Sequence, residues 1–320
     1  MKNFAITANY LAVPRKKSNF ASQENDYLMQ ELTPQDLKEW KRIITDVLRE
    51  FQEICKENNL RYYGTGGTAI GAVRHKGMIP WDDDIDVAMP RPDYDCLIKI
   101  CKTKDLGDFE LVGPYTTKNY PVPFIKFCSK LTTLIEHENI PCITGLYIDI
   151  FPVDGTSDNV SEAFRLKRKY ERIWHKLEAI SCRNTFTEYI SLLKEPHEWG
   201  RFAIKTVGFF FRSKLRSILL KRLESISRRY SFDDANNVIV YSGSYGKREI
   251  MPKSVYVGES VTFPFEGITI PLASGYKDYL GRIYGDYMKL PPMEQRVSHH
   301  SHAVVDMTRR LTDEEALALL

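Results

Sequence analysis

The chain has 320 residues, more than the roughly 100 to 200 of a usual domain but short enough to form one enlarged domain or two. Hydrophobic residues at 43% and charged residues at 27% match an ordinary globular protein. A mean hydropathy of -0.35, with Val207-Gly208-Phe209-Phe210-Phe211 as the longest apolar run, excludes a bundle of spanning helices, each of which needs about 20 apolar residues.

A net charge of +3 does not call for a nucleic-acid partner, and none is expected. The opening residues MKNFAITANYLAVPRKK place one lysine before a mixed stretch broken by Asn9 and Pro14, without a small-residue cleavage site, which makes a poor secretory signal. A cytoplasmic location is therefore expected. Free, mostly buried thiols are expected with it at Cys55, Cys96, Cys101, Cys128, Cys142 and Cys182, which show no C-x2-C pair and no zinc-spaced histidine.

Residues 1–31 lack sustained periodicity and read as an irregular arm. Thr33 then offers an N-cap with Pro34 at the first helical position, and Leu37, Trp40, Ile44, Val47, Phe51 and Ile54 recur at helical spacing, which predicts a helix to about Lys56. Leu60 to Tyr63 reads as a short strand entering a glycine turn at Gly64 to Gly67, and Thr68 to Val73 as a short helix with Thr68 near its cap. A strand is expected to begin at Asp84-Ile85-Asp86-Val87. Further strands are expected at Phe124–Cys128, Gly145–Phe151 and Val238–Tyr241, and a hairpin at Val261–Phe265 and Ile268–Pro271 across Glu266-Gly267. Residues 161–230 read as helices, as does Tyr276–Tyr284. The order of elements predicts an α+β or mixed α/β class.

Within this frame the stretch Gly64 to Asp86, GTGGTAIGAVRHKGMIPWDDDID, concentrates chemistry. On a strand Asp84 and Asp86 point to one face while Ile85 and Val87 point to the core. Two ionised carboxylates side by side are most easily held by a divalent cation, and hard oxygen ligands favour magnesium or manganese. Asp149, a charge set in the apolar run Tyr147-Ile148-Asp149-Ile150-Phe151, is the best third carboxylate, with Asp154 on a following loop. Gly66-Gly67 before a helix lets backbone approach an anion, and Arg74 or Lys76 could hold phosphate oxygens. The pattern departs from a calcium loop, because the required glycine is Val87 and the closing glutamate is Asp93. Gly243-Ser244-Tyr245-Gly246-Lys247-Arg248 departs from a P-loop. Asp82 and Asp83 alone would fit a solvated acidic turn.

This stretch, followed by Asp149-Ile150-Phe151-Pro152-Val153-Asp154-Gly155 and by Tyr284-Gly285-Asp286-Tyr287-Met288 with Pro291-Pro292 and a His-rich end, closely resembles the LicD family in motif order over residues 33–303. That family includes bacterial phosphocholine transferases that decorate surface glycans, and fukutin-related sugar-modifying proteins share the domain. The resemblance implies a nucleotidyltransferase-like mixed sheet flanked by helices. It implies Gly66, Gly67 and Thr68 at the donor phosphates and Asp84, Asp86 and Asp149 as metal-binding catalytic residues. It implies transfer of phosphocholine or another phospho-alcohol from a CDP-linked donor such as CDP-choline to a sugar hydroxyl of a lipopolysaccharide, teichoic acid or capsule precursor. CMP would leave, with Asp149 or the metal dealing with the acceptor proton. Arg74, His75, Lys126, Arg296 and His299 fall in or near the matching blocks as donor-binding candidates, with His300 and His302 beside the last. Lys126 could equally reach solvent.

The chain accordingly divides into the arm at 1–31, a catalytic core at 32–160, a helical basic segment at 161–235 and a C-terminal part at 236–320 that completes the domain. Between Arg201 and Arg229 there are nine basic residues and one acid, Glu224, interleaved with apolar residues, as in a helix lying on an anionic membrane. Docking there would set the protein at the inner face of the membrane, near a lipid-linked acceptor; a helix packed on the core with a solvated basic face has the same pattern. Two other functions share the motifs: a nucleotidyltransferase using CTP or another NTP, and a non-catalytic glycan- or nucleotide-binding module.

Overall fold

The computed structural model describes residues 33–182, 199–296 and 302–320; the arm expected at 1–31, and with it His299 and His300, lies outside the described residues. Helix α1 (Pro34–Glu57) starts where the cap residues put it. The Asp36 N–H donates to the Thr33 hydroxyl (3.2 Å), and the Thr33 N–H donates back to the Asp36 carboxylate (2.9 Å). Its Trp40, Ile44, Val47, Leu48, Phe51 and Ile54 are buried, each fully covered side chain stabilising the fold by about 1.5–3 kcal/mol.

That face lies on a mixed sheet. Strands β1 (Tyr63–Gly64), β2 (Asp86–Pro90), β3 (Phe109–Val112), β4 (Ile125–Ser129) and β6 (Tyr147–Thr156) are ordered β1-β2-β6-β4-β3. β2 runs parallel to β6 and the other neighbours are antiparallel. Helix α2 (Gly66–His75) joins β1 toward β2, and α3 (Arg91–Thr103) follows β2. β5 (Thr133–Ile135) leaves this sheet to pair with β11 (Val304–Asp306). The far half of β6 carries β7 (Asn237–Ile239) and, beyond it, β8 (Met251–Pro252), so one sheet joins the central and C-terminal parts of the chain.

The expected hairpin is present as β9 (Val261–Phe265) and β10 (Ile268–Leu272). Its turn residues Glu266 and Gly267 both have positive φ, at 47° and 77°, the backbone that a tight two-residue hairpin turn requires. Phe265, Ile270 and Leu272 enter the main core beside α1. Helices α4 (Val160–Ser181) and α5 (Trp199–Ser227) pack together through Leu166, Tyr170 and Leu177 against Leu220, Leu223 and Ile226. Helix α6 (Tyr276–Tyr284) has the bounds that its sequence predicts, and α7 (Asp313–Ala318) closes the chain. The class is α+β, and all six cysteines are free. Among the described residues no helix is long and apolar enough to cross a membrane.

Four local expectations are corrected. α2 begins two residues earlier than predicted, with Thr65 rather than Thr68 before it. β2 begins at Asp86, leaving Asp84 just ahead of the strand, although the Asp149 N–H already donates to the Ile85 carbonyl (2.9 Å). Asp154 is not on a loop: β6 extends through it, and its buried carboxylate takes two hydrogen bonds from Arg91 (2.6 and 3.0 Å). Asp83 is not a solvated turn residue but is buried.

Candidate active site

Strand register assembles the centre. Asp86 of β2 pairs with Asp149 of β6, and Asp149 pairs with Lys126 of β4, so these three residues stand in a row across the sheet. Val87, Ile150 and Ile125, one residue on, turn to the core on the opposite face. Neighbouring strands lie about 4.8 Å apart, which brings two carboxylates and an ammonium side by side.

Lys126 is 3% exposed, so it does not reach solvent. Its Nζ stands 3.3 Å from Asp149 Oδ1 and 3.2 Å from Glu136 Oε2, and 3.3 Å from the centroid of the Tyr147 ring. Burial opposes the ammonium, but Asp149 and Glu136 outweigh it and hold the Lys126 pKa above its ordinary value. Burial likewise opposes the Glu136 charge, yet Lys126 and a hydrogen bond from the Tyr147 hydroxyl bring its pKa down to about 2. Glu136 carries no motif, and nothing short of the fold marks it as a partner of Lys126.

The acidic turn comes to the same place by running back along α2. A Cβ on Gly71 would strike the Gly77 carbonyl, and one on Gly67 would strike the Asp82 carboxylate, so residues 77–82 lie against the helix from its end to its start. Carboxylate oxygens of Asp82, Asp83 and Asp84 lie within 4.8 Å of one another. Asp82, read from sequence as an ordinary turn residue, therefore borders the glycine pair. Asp83 has further partners of its own. Its Oδ2 meets His302 Nε2 at 2.9 Å, its carbonyl accepts the Trp40 indole N–H (2.7 Å), and the His302 and Trp40 rings lie tilted at 34° with centroids 4.7 Å apart.

The glycine turn is set by Gly66, whose φ is +57°. A Cβ there would stand 2.9 Å from Asp86 Oδ2 and 3.7 Å from the Tyr284 hydroxyl. The Gly66 N–H donates to the Tyr279 hydroxyl (3.0 Å), so this amide is not offered to an anion. Thr68 is buried, and its hydroxyl accepts the Asp86 N–H (2.8 Å), which locks the start of β2 to α2. Gly66→Ala is expected to cost about 1–2 kcal/mol for the left-handed backbone alone. It should also displace the Asp86 carboxylate, so activity should fall by more than the loss of folded protein, as measured by turnover per folded molecule beside thermal unfolding.

Other candidates lie at the far end of α2. Arg74 donates to the Tyr287 carbonyl (2.8 Å) and to His75 Nε2 (2.9 Å), tying the glycine motif to the Tyr-Gly-Asp-Tyr-Met motif. Burial lowers the His75 pKa, with Arg74 and Lys41 adding to it. Arg296 donates to the Pro291 carbonyl (2.9 Å) and stands 5.5 Å from the Trp81 ring centroid. The structure thus gathers Arg74, His75, Trp81 and Arg296, and separately Asp82, Asp84, Asp86 and Asp149 around the glycine pair. His302 belongs to Asp83, and His299 lies outside the described residues.

The residues fit a magnesium or manganese ion. Carboxylates crowd the glycine pair from two sides, through Asp82 at Gly67 and Asp86 at Gly66, which would repel a phosphate unless cations came with it. Every donor is a hard oxygen, the set these ions prefer.

Residues 59–180 match the family described as LicD/FKTN/FKRP, nucleotidyltransferase domain. The lipopolysaccharide cholinephosphotransferase LicD of Haemophilus influenzae is 30% identical over 272 residues, covering 82% of this chain and 96% of that protein. Uncharacterized proteins of Rickettsia typhi and Rickettsia prowazekii are each 28% identical, over 158 and 161 residues, or 49% of this chain in both cases. The similarity runs through nearly the whole of the Haemophilus protein and spans the glycine turn, the acidic run and β6: this chain belongs to the LicD family.

Proposed function

We propose that this protein transfers phosphocholine, or a closely related phospho-alcohol, from a CDP-linked donor to a sugar hydroxyl of a surface-glycan precursor. The relative's activity as a lipopolysaccharide cholinephosphotransferase supports the substrate class. The observation that carries the reading is the register of Asp86 against Asp149, beside the Gly66 turn and the acidic run. In this scheme the acceptor oxygen bonds to the phosphorus distal to the nucleoside, the bond to the CMP oxygen breaks, CMP departs with that electron pair, and the hydroxyl proton passes to Asp149. Magnesium or manganese, when bound, supplies charge neutralisation for the transferring group. Asp84, Asp86 and Asp149 would hold it, with Asp82 at its border.

The protein's own contributions follow from the contacts. Lys126, 3.3 Å from Asp149 Oδ1, holds that carboxylate in place. Thr68 fixes Asp86 through its backbone. Tyr279 and Tyr284 close the side of the site over Gly66, and Tyr284 meets Tyr245 edge to face with ring centroids 5.1 Å apart. Aromatic faces suit a quaternary ammonium, so these tyrosines are the proposed neighbours of the donor choline.

Phosphorus NMR tests the reading. With magnesium and CDP-choline, CMP and phosphocholine should form, by slow transfer to water where no sugar acceptor is present, and Asp84→Ala should abolish it. Pyrophosphate from CTP with CDP-choline untouched would replace the proposal with nucleotidyl transfer. Binding of donor and glycan precursor with no turnover of either would replace it with a binding module.

A further inference from the structure

Charge is unevenly shared along the chain. Residues 160–229, which contain α4 and α5, hold 17 Lys and Arg against 7 Asp and Glu, a net of +10. The remaining 28 basic and 35 acidic residues leave the rest of the protein at -7.

The fold sorts this excess by face. α4 turns Leu166, Tyr170, Ile173 and Leu177 inward to α5, while Arg165, Arg168, Lys169, Arg172 and Lys176 follow one another at helical spacing along its outer side, all exposed. The acids of this helix lie off that stripe. Glu171 pairs with the fully buried Lys167 (3.3 Å) and Glu178 with His175 (3.6 Å), while Glu162 touches the end of the stripe, 3.8 Å from Arg165. Like charges four residues apart weaken a helix, and three such pairs, Arg165 with Lys169, Arg168 with Arg172 and Arg172 with Lys176, occur in succession. α5 adds a second outward stripe of a different kind. Lys214, Lys221 and Arg222 are exposed together with Phe211 and Ile218, which are 54% and 39% exposed, opposite the buried Leu220, Leu223 and Ile226.

We propose that the α4–α5 pair docks this protein on the surface of an anionic lipid bilayer. Lys214, Lys221 and Arg222 meet lipid phosphates while Phe211 and Ile218 beside them enter the interface, and the α4 cations add to the field that draws the protein to the surface. A soluble polyanion would match the cations but would leave both apolar side chains in water. The inference stands apart from the reaction, because none of these residues belongs to the carboxylate site.

Vesicle flotation of the full chain tests it. The protein should float with phosphatidylcholine vesicles that contain phosphatidylglycerol, remain behind with phosphatidylcholine alone, and detach as salt is raised. The combined Arg165→Glu, Arg168→Glu and Arg172→Glu variant should lose at least about tenfold in partitioning. Phe211→Ser with Ile218→Ser should weaken flotation while leaving retention on a heparin column unchanged. Circular dichroism and CMP release from soluble donor, both unchanged, would show that the variants remain folded. Absence of flotation at low salt, or equal flotation of the charge-reversed variant, would overturn the proposal. Retention on heparin or duplex DNA without any vesicle binding would assign the stripe to a soluble polyanion instead.

Discussion

Asp86→Asn should lower turnover of a CDP-linked donor on the order of a thousandfold, the scale of losing a group aimed at developing charge, while the protein keeps its fold. The amide is isosteric, and the β2 backbone that carries Asp86 is held by Thr68 and by pairing with β6 through main-chain bonds that the substitution leaves in place. What changes is the charge. Asp86 stands beside Asp149 in register, so removing one of two like charges should leave thermal stability equal or higher, even as affinity for manganese, followed by electron paramagnetic resonance, drops. Asp84→Asn should behave in the same way. Asp83→Asn is the discriminating control, because its carboxylate is turned to His302. Equal loss of metal affinity at Asp83 and Asp86 would mean that the ion sits in the 82–84 turn rather than between the strands.

Lys126→Met should destabilise the fold by about 3–5 kcal/mol, the cost of breaking a buried ion pair from one side. The substitution keeps the stem volume and removes the only ammonium seen within ion-pair distance of both Asp149 and Glu136 among the described residues. Glu136→Gln added to it should recover part of the loss, which chemical denaturation of the two single variants and the double variant would measure. A merely space-filling lysine would show additive effects in that cycle. The pH dependence has a definite sign. The Glu136 pKa is depressed in the folded state, from 4.5 to about 2, so its contribution is complete above 4.5 and is lost as pH falls toward 2. Glu136→Gln should therefore flatten the stability profile across that acid window and leave its slope near neutral pH unchanged.

Elements written in local chemistry were legible in the chain itself. The Thr33–Asp36 capping box, the apolar stripe of α1, the Glu266-Gly267 turn and the α6 bounds all depend on residues within a few positions of one another, so helical and hairpin geometry alone brings their partners together. α3 shows the opposite case: it is not among the expected helices, and Pro90 and Pro92 stand before and within its first turn, where a missing N–H costs nothing.

The sequence by itself determined which chemistry the chain carries: a glycine turn, an aspartate run, a charged residue set into an apolar strand, and an excess of cations after residue 160. Only the tertiary structure decided how these are used. The parallel register of β2 and β6 makes Asp149 the neighbour of Asp86, and the antiparallel register of β4 delivers Lys126 to both Asp149 and Glu136. The packing of the segment after residue 301 brings His302, 219 residues distant, onto Asp83, whose carboxylate still lies within 4.8 Å of those of Asp82 and Asp84. Periodicity and capping report an energy balance within one or two turns of chain. Register and burial are set by the whole core at once, and a side chain's partner across strands is fixed only when that core has closed.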